Sequence, residues 1–334
     1  MAQTITEKVV QAHAVGLLEG AEVLAGDMVT VRPAHVMTHD NTGAVLPKFH
    51  TIGATHVADS SQPVFALDHN VQDRSEANLE KYAKIEAFAR SEGIVFHPAG
   101  AGIGHQLMIE NGFVHPGALV VASDSHSNMY GAVAAVGTPV VRTDAAAIWA
   151  TGMTWWQVPR SVKVVLEGKL RPGVSGKDVI ITLCGLYHSG EVLNAAVEFH
   201  GPGIATLSMD DRMTISNMTT EWGALVGWFG YDETTSHYLR GRAAMLDALE
   251  IDGRLTGEMI AAWDENPPRP DPNADYAAEI VLDLRRVSPH VAGPDSVGVI
   301  RSVADLEEER LPIQKAYLLS CVNSRLSDLA EAAD

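Results

Sequence analysis

Three times in the first part of the chain an apolar, β-branched or aromatic run breaks directly into short polar residues. Val64-Phe-Ala-Leu67 runs into Asp68-His69, Ile94-Val-Phe96 into His97-Pro-Ala-Gly-Ala-Gly-Ile-Gly-His105, and Gly117-Ala-Leu-Val-Val-Ala122 into Ser123-Asp124-Ser125-His126. Apolar runs this short, bounded by turn residues, read as strands. Helical spacing separates them: Ser75 is a cap for a helix with Leu79, Tyr82, Ala83 and Phe88 on one face and Gly93 as its stop, and Gln106–Asn111 reads as a shorter helix. Strands alternating with helices predict an α/β fold, a parallel-rich sheet covered on both faces. Ligands of such sheets sit beyond the carboxyl ends of the strands, where all three polar clusters fall.

The remaining pattern is coarser. Thr6 to Gly20 has helical spacing, Asp27 to Arg32 reads as a strand, and Thr143 is a cap for a helix over Asp144–Ala150. Val162–Glu167 and Glu279–Leu284 read as strands, Ser175 opens a helix through Cys184 with Gly185 as its stop, and another helix opens near Thr214. In that last reading Glu221 lies in a helix start, where the dipole favours a carboxylate. Ala316–Cys321 reads as a strand that delivers its thiol into a polar turn. The expected division is a first domain over 1–160, a second over 161–315, and the start of a third over 316–334.

Composition excludes the large polyanionic partners. Forty-two acidic against 24 basic side chains leave a formal charge of −18, which repels nucleic acid and anionic lipid, while a local cluster of cations still admits a small anion. No apolar run approaches a membrane span, and no signal or transit peptide is recognisable, so a cytoplasmic compartment is expected, with the mitochondrial matrix as the alternative in a eukaryote. Cys184 and Cys321 are the only cysteines and form no CxxC pair. Fourteen histidines are many, and several stand beside acids: His39-Asp40, Asp68-His69, Asp124-Ser125-His126.

Plain structural roles compete with functional ones. Asp68-His69 serves equally as a strand-end cap. The loop Gly100-Ala-Gly-Ile-Gly104 is not GxGxxG and makes a poor phosphate loop. Trp155, Trp156 and Trp222 are simplest as packing residues, and Cys184 as an inert core thiol. Cys321, next to Asn323, Ser324 and Arg325, is placed to ligate a metal, but one thiol is not a cluster site.

The strings VVASDSHSNMYG, GTPVVRTDAAAIWATGMTWWQVP, EFHGPG, ISNMTTEWGA and LLSCVNSR, in this order, resemble the aconitase family, closest to its homoaconitase and 3-isopropylmalate dehydratase large-subunit branches. The resemblance implies three-layer α/β/α domains and a hydro-lyase that moves water between neighbouring carbons of a 2-hydroxy di- or tricarboxylate. It also implies a [4Fe-4S] cluster held by three cysteines. TTEWGA and TGMTWWQVP lean toward a homoaconitate-type substrate and lysine biosynthesis.

Carried over by matching positions, the resemblance implies acid–imidazole pairs Asp68–His69, with His69 the proton donor, Asp124–His105 and Glu221–His126. Ser125 takes a substrate-contact position, and His39 stands near the site where relatives carry other residues. Arg325 is a weaker substrate contact. Cys321 is the first cluster thiolate, with Asn217 and Asn323 beside it. The resemblance also implies a downstream CxxC pair, carboxylate-gripping arginines and a serine base on a swivel domain. None of these is matched in this sequence, so a missing C-terminal segment or partner subunit is expected to supply them, and the cluster is not expected to be retained by this chain alone. Two other readings stay open: a single-metal enzyme using the histidines and acids to hold zinc or iron, and a non-catalytic binding or assembly module.

Overall fold

The computed structural model describes residues 1–251 and 253–333. Its first half is α1 (Ile5–His13), β1 (Met28–Val31), β2 (His35–Thr38), α2 (Thr42–Thr51), β3 (Pro63–Ala66), α3 (Glu76–Glu92), β4 (Val95–His97), α4 (Gly104–Glu110), β5 (Leu119–Ala122), β6 (Val136–Pro139), α5 (Arg142–Thr151) and β7 (Thr154–Gln157). The second is β8 (Ser161–Glu167), α6 (Gly176–Leu186), β9 (Ala196–His200), α7 (Met209–Met218), β10 (Val226–Phe229), α8 (Glu233–Ala248), α9 (Gly257–Glu265), β11 (Ala278–Asp283), β12 (His290–Ala292), β13 (Ile300–Ser302), α10 (Val303–Glu309) and α11 (Leu326–Ala333).

Five strands form a wholly parallel sheet in the order β4-β3-β2-β5-β6, and four form a second parallel sheet, β10-β9-β8-β11. The strands of the first are too apolar on both sides to face water, and both faces are covered. On one, Val36, Phe65 and Val121 pack with Val45 and Phe49 of α2, Ile85 of α3 and Trp149 of α5. On the other, Met37, Val64 and Val120 share a core with α1, α4, α7 and β10. The sheets thus divide near residue 160, while this core joins Val120 to Met213 and Val226 across that point. We propose residue 160 as a division between sheets rather than between cores.

Several expected elements are corrected. The first helix ends at His13 because Val15 N–H turns to bond the Thr30 carbonyl at 2.8 Å, pairing the chain with β1. α5 starts at Arg142 with Val141, not Thr143, at its cap. α6 runs through Gly185 to Leu186; a Cβ at Gly185 would lie 2.4 Å from Ile300, so this glycine permits close packing and does not stop the helix. α7 starts at Met209, capped by Ser208 Oγ accepting from Asp211 N–H at 3.1 Å, so Thr214 is mid-helix and Glu221 follows the helix end. Ala316–Ser320 is exposed and forms no strand. β2 and α2 arise where the sequence reading places no element.

Candidate functional site

Strand order decides where the polar loops meet. From β2 the chain proceeds outward to β3 and β4, then returns to place β5 on the other side of β2, so connections leave these two neighbours in opposite directions. A crevice opens at such a reversal, beyond the carboxyl ends of the strands. His39 follows β2, Asp68 and His69 follow β3, and Asp124 and His126 follow β5. All converge there.

Asp40 builds the floor. Its carboxylate accepts the backbone N–H groups of Asp68 (2.9 Å), His69 (2.8 Å) and Asn70 (3.1 Å), and the Tyr82 hydroxyl of α3. Burial works against its charge, but the Tyr82 hydroxyl and these N–H groups outweigh it and hold the carboxyl below its ordinary value. Asp40 therefore fixes the loop that presents His69.

Asp124 is the hub. Its carboxylate accepts from His105 Nε2 at 2.7 Å and from the His126 backbone N–H at 2.9 Å, and His69 Nε2 stands 3.4 Å away and His39 Nε2 3.7 Å. The other nitrogens are also held. His69 Nδ1 meets Asp68 Oδ1 at 2.6 Å, and Asp68 Oδ2 in turn accepts Gly104 N–H at 2.7 Å. His105 Nδ1 pairs with the buried Tyr130 hydroxyl at 3.0 Å, and His126 Nε2 with Glu221 Oε1 at 2.7 Å. Ser125 is exposed at the rim, its Oγ 3.2 Å from His126 Nδ1.

These pairings set the protonation pattern. Burial opposes ionisation of Asp124, yet hydrogen bonds from His105, His126 and His69 hold its carboxyl far below the carboxylate range. His69 is raised to about 10 by Asp124 and then Asp68, against burial. His126 rises to about 12: burial disfavours the imidazolium, but Asp124, Cys321 and Glu221 together overcome it. His39 moves the other way, lowered by burial and by His69, on which it stacks with ring centroids 3.9 Å apart. Two stacked imidazoles so close do not both charge; His69 carries the proton.

A pH dependence follows. The folded state binds the His69 proton more tightly than the unfolded chain does, so its stabilisation is complete below about pH 6.5 and is lost as pH rises through about 10. The ring is half exposed, which keeps the effect small. The melting temperature of the wild type is expected to fall more across this window than that of His69→Gln. Equal slopes in thermal melts would contradict the assignment.

Cys321, half-buried, is carried to the same place by the turn before α11. Its sulfur accepts Asn217 Nδ2 from α7 at 3.5 Å and is close enough to His126 to help raise that ring's pKa. Asn323 and Arg325 take a different part. Asn323 Nδ2 reaches Thr214 Oγ1 at 3.3 Å and Asp328 at 2.9 Å, while the Arg325 guanidinium bonds Thr214 and the carbonyls of Asp210 (3.1 Å) and Val322 (2.8 Å). They clamp the thiol's turn onto α7, and no hydrogen bond of Arg325 goes to the imidazole array.

The donor set bears on a metal. An iron–sulfur cubane takes thiolates on most or all of its irons. Among the described residues only Cys321 offers one here, since Cys184 is buried in the α6 core with its thiol pushed up to about 12 by burial. The chain's residues thus fit one corner of such a group and not the whole. Ligand atoms of His39, Asp40, Asp68 and His69 lie within 4.8 Å of one another, the geometry of a single-ion site. Asp40 is already saturated with donors, however, and a protonated His69 is no ligand.

Lys177 is absent from the sequence reading. It sits in the first turn of α6, half-buried, where burial lowers its pKa and the charges of Glu221 and Cys321 oppose that shift. A lysine at a helix N-terminus opposes the dipole, and that local inconsistency is the signal that marks it. Tyr82 was legible only as a helix-face residue, and Tyr130 only as part of the string VVASDSHSNMYG.

The model of the aconitase family (aconitate hydratase) matches residues 7–334. The chain is 55% identical to a mitochondrial homoaconitase of Chaetomium globosum over 99% of its own length and 42% of that protein. With those of Mycosarcoma maydis and Yarrowia lipolytica identity is 52% and 53%, again over 99% of this chain, and over 46% and 48% of those proteins. The chain spans about half the length of the curated relatives it matches. The match over nearly its whole extent establishes that it belongs to the aconitase family.

Proposed function

We propose that this chain supplies the acid–base half of a hydro-lyase site acting on a homoaconitate-type 2-hydroxy tricarboxylate. The observation that carries this reading is the Asp124 carboxylate, shared by imidazoles from separate strand ends, with the Cys321 sulfur beside one of them. Its relatives are named homoaconitases, which supports the substrate class.

Dehydration breaks a carbon–oxygen bond whose leaving group, hydroxide, is poor until protonated. His69, held as an imidazolium by Asp124 and Asp68, delivers that proton, and its half-exposed ring opens toward the crevice. His126, locked between Glu221 and Asp124, keeps a second positive charge beside the thiol. Asp68 and Asp40 orient the donor. His39, neutral and stacked on His69, lets the donor carry charge without a like neighbour. A bound cluster, completed by thiolates from polypeptide equivalent to the rest of the relatives' length, would supply a Lewis-acid iron. The carboxylate clamp and the carbon base are assigned to that same remainder. The compartment is proposed with the function: the relatives' printed names carry the mitochondrial alternative rather than the cytoplasm.

The test joins this chain to that remainder, reconstitutes iron and sulfide anaerobically, and follows alkene absorbance with homoaconitate and with isopropylmalate. His69→Gln is expected to lower kcat by about 10²–10⁴ with cluster content unchanged. Full activity in that variant, or turnover of isopropylmalate alone, contradicts the proposal. A colourless active protein with stoichiometric zinc would favour the single-ion site around His39 and Asp68 instead.

A further inference from the structure

Asp124 has more than one ring on which to stabilise a proton. His105 makes the shortest contact, 2.7 Å through Nε2, and is 3% exposed, whereas His69 Nε2 stands at 3.4 Å on a half-exposed ring. Distance alone would place the charge on His105, away from the crevice. The other nitrogen of His105 bears on that choice.

His105 Nδ1 meets the hydroxyl of Tyr130 at 3.0 Å, and that hydroxyl makes no other hydrogen bond among the described residues. Tyr130 is fully buried. Burial first, then the charges of Asp124, Asp68 and Cys321, push its pKa well above the ordinary 10, so the phenol keeps its proton. Two arrangements are open. If Tyr130 donates to Nδ1, His105 is a neutral ring with its one proton on Nε2, facing Asp124, and each polar atom of both side chains has a partner. If Nδ1 is protonated as well and donates, the phenolic hydrogen is left in the core without an acceptor, a cost the first arrangement avoids. The ring cannot swing away to find one. It belongs to the 3-10 segment Ser127–Val133, and Gly137 of β6 comes so near that a Cβ there would stand 2.7 Å from Tyr130 Cβ.

We propose that Tyr130 is a positioning residue for proton transfer: its hydroxyl fixes His105 as a neutral Nε2–H donor to Asp124 and leaves the carboxylate's charge to the His69 imidazolium. Asp68 and His39, which also face His69, are the same in both arrangements. The proposal rests on the reading of His69 as the proton donor. In Tyr130→Phe neither form of Nδ1 has a partner, so the preference for the neutral ring is lost and His105 competes with His69 for Asp124.

Nitrogen-15 NMR of the histidine-labelled chain, without iron or substrate, tests this, because protonated and bare ring nitrogens differ widely in shift. His105, assigned by the loss of its signals in His105→Gln, should show a protonated Nε2 and a bare Nδ1 at neutral pH. An unfilled buried partner is worth about a tenfold change in population, so His69 in Tyr130→Phe should lose its proton about one pH unit below the wild-type value of about 10. A protonated Nδ1 in the wild type overturns the assignment, and so does a Tyr130→Phe chain that melts lower with its His69 titration unmoved, the mark of a purely structural tyrosine. Should Tyr130→Phe not fold, the wild-type His105 signals decide. Neither measurement involves turnover: full activity of His69→Gln in the joined enzyme strikes the hydro-lyase reading, whereas the outcomes above strike Tyr130.

Discussion

Replacing Asp124 by asparagine is expected to return the His69 pKa from about 10 toward its ordinary value near 6.5, and to destabilise the fold by about 3 kcal/mol. The hub is almost wholly buried, and its single negative charge faces imidazoles at 2.7, 3.4 and 3.7 Å. Removing the charge leaves those rings with donors aimed at a neutral amide that has one oxygen to accept them. His126 retains Glu221, so its proton should be lost last. Histidine ring-proton titrations by NMR give the pKa, and urea unfolding gives the stability. If His69 still titrates near 10 in Asp124→Asn, the hub is not what charges it.

The second large effect lies at Gly131. A Cβ there would stand 1.8 Å from the Gly227 carbonyl oxygen and 2.6 Å from its carbon, both backbone atoms of β10 that cannot rotate away. Gly131 belongs to the tight 3-10 segment Ser127–Val133, which begins one residue after His126. Gly131→Ala must push this segment off β10, opening a core that contains Tyr130, Met129 and Val226. The expected cost exceeds about 3 kcal/mol, a large fraction of an ordinary folding free energy. Circular dichroism melts would show it. A variant melting within a few degrees of wild type would mean that the two backbones are not in contact.

What the sequence made legible follows from locality. The strand runs and their polar ends at Asp68, His105 and Asp124 are read from neighbouring residues, and so is the Ser75 cap with its Gly93 stop. Elements defined by distant partners were not. Gly185 looks like a stop until Ile300 is seen filling its place. Thr214 looks like a helix start because Ser208 and Asp211, the true cap pair, lie a turn and a half earlier. Residues 316–320 have the apolar content of a strand, but no neighbouring strand pairs with them here. Within the site, the pairs Asp68–His69, Asp124–His105 and Glu221–His126 came from the family resemblance. What the fold adds is that one carboxylate, Asp124, stands close to several rings, and that Lys177 enters from a helix read only for its thiol.

The manner in which Cys321 is held has a consequence for metallation. His39, His69 and His126 follow strands of a parallel sheet packed on both faces and His105 opens α4, whereas the thiol arrives on a stretch held to α7 through Asn217, Val322, Asn323 and Arg325. A loaded iron centre would then bear on residues 316–323 rather than on the proton-transfer array beside them. Amide hydrogen exchange across residues 316–323 should slow on loading while that of β2, β3 and β5 stays as it was, an asymmetry that would let such a centre be lost and rebuilt without refolding the scaffold.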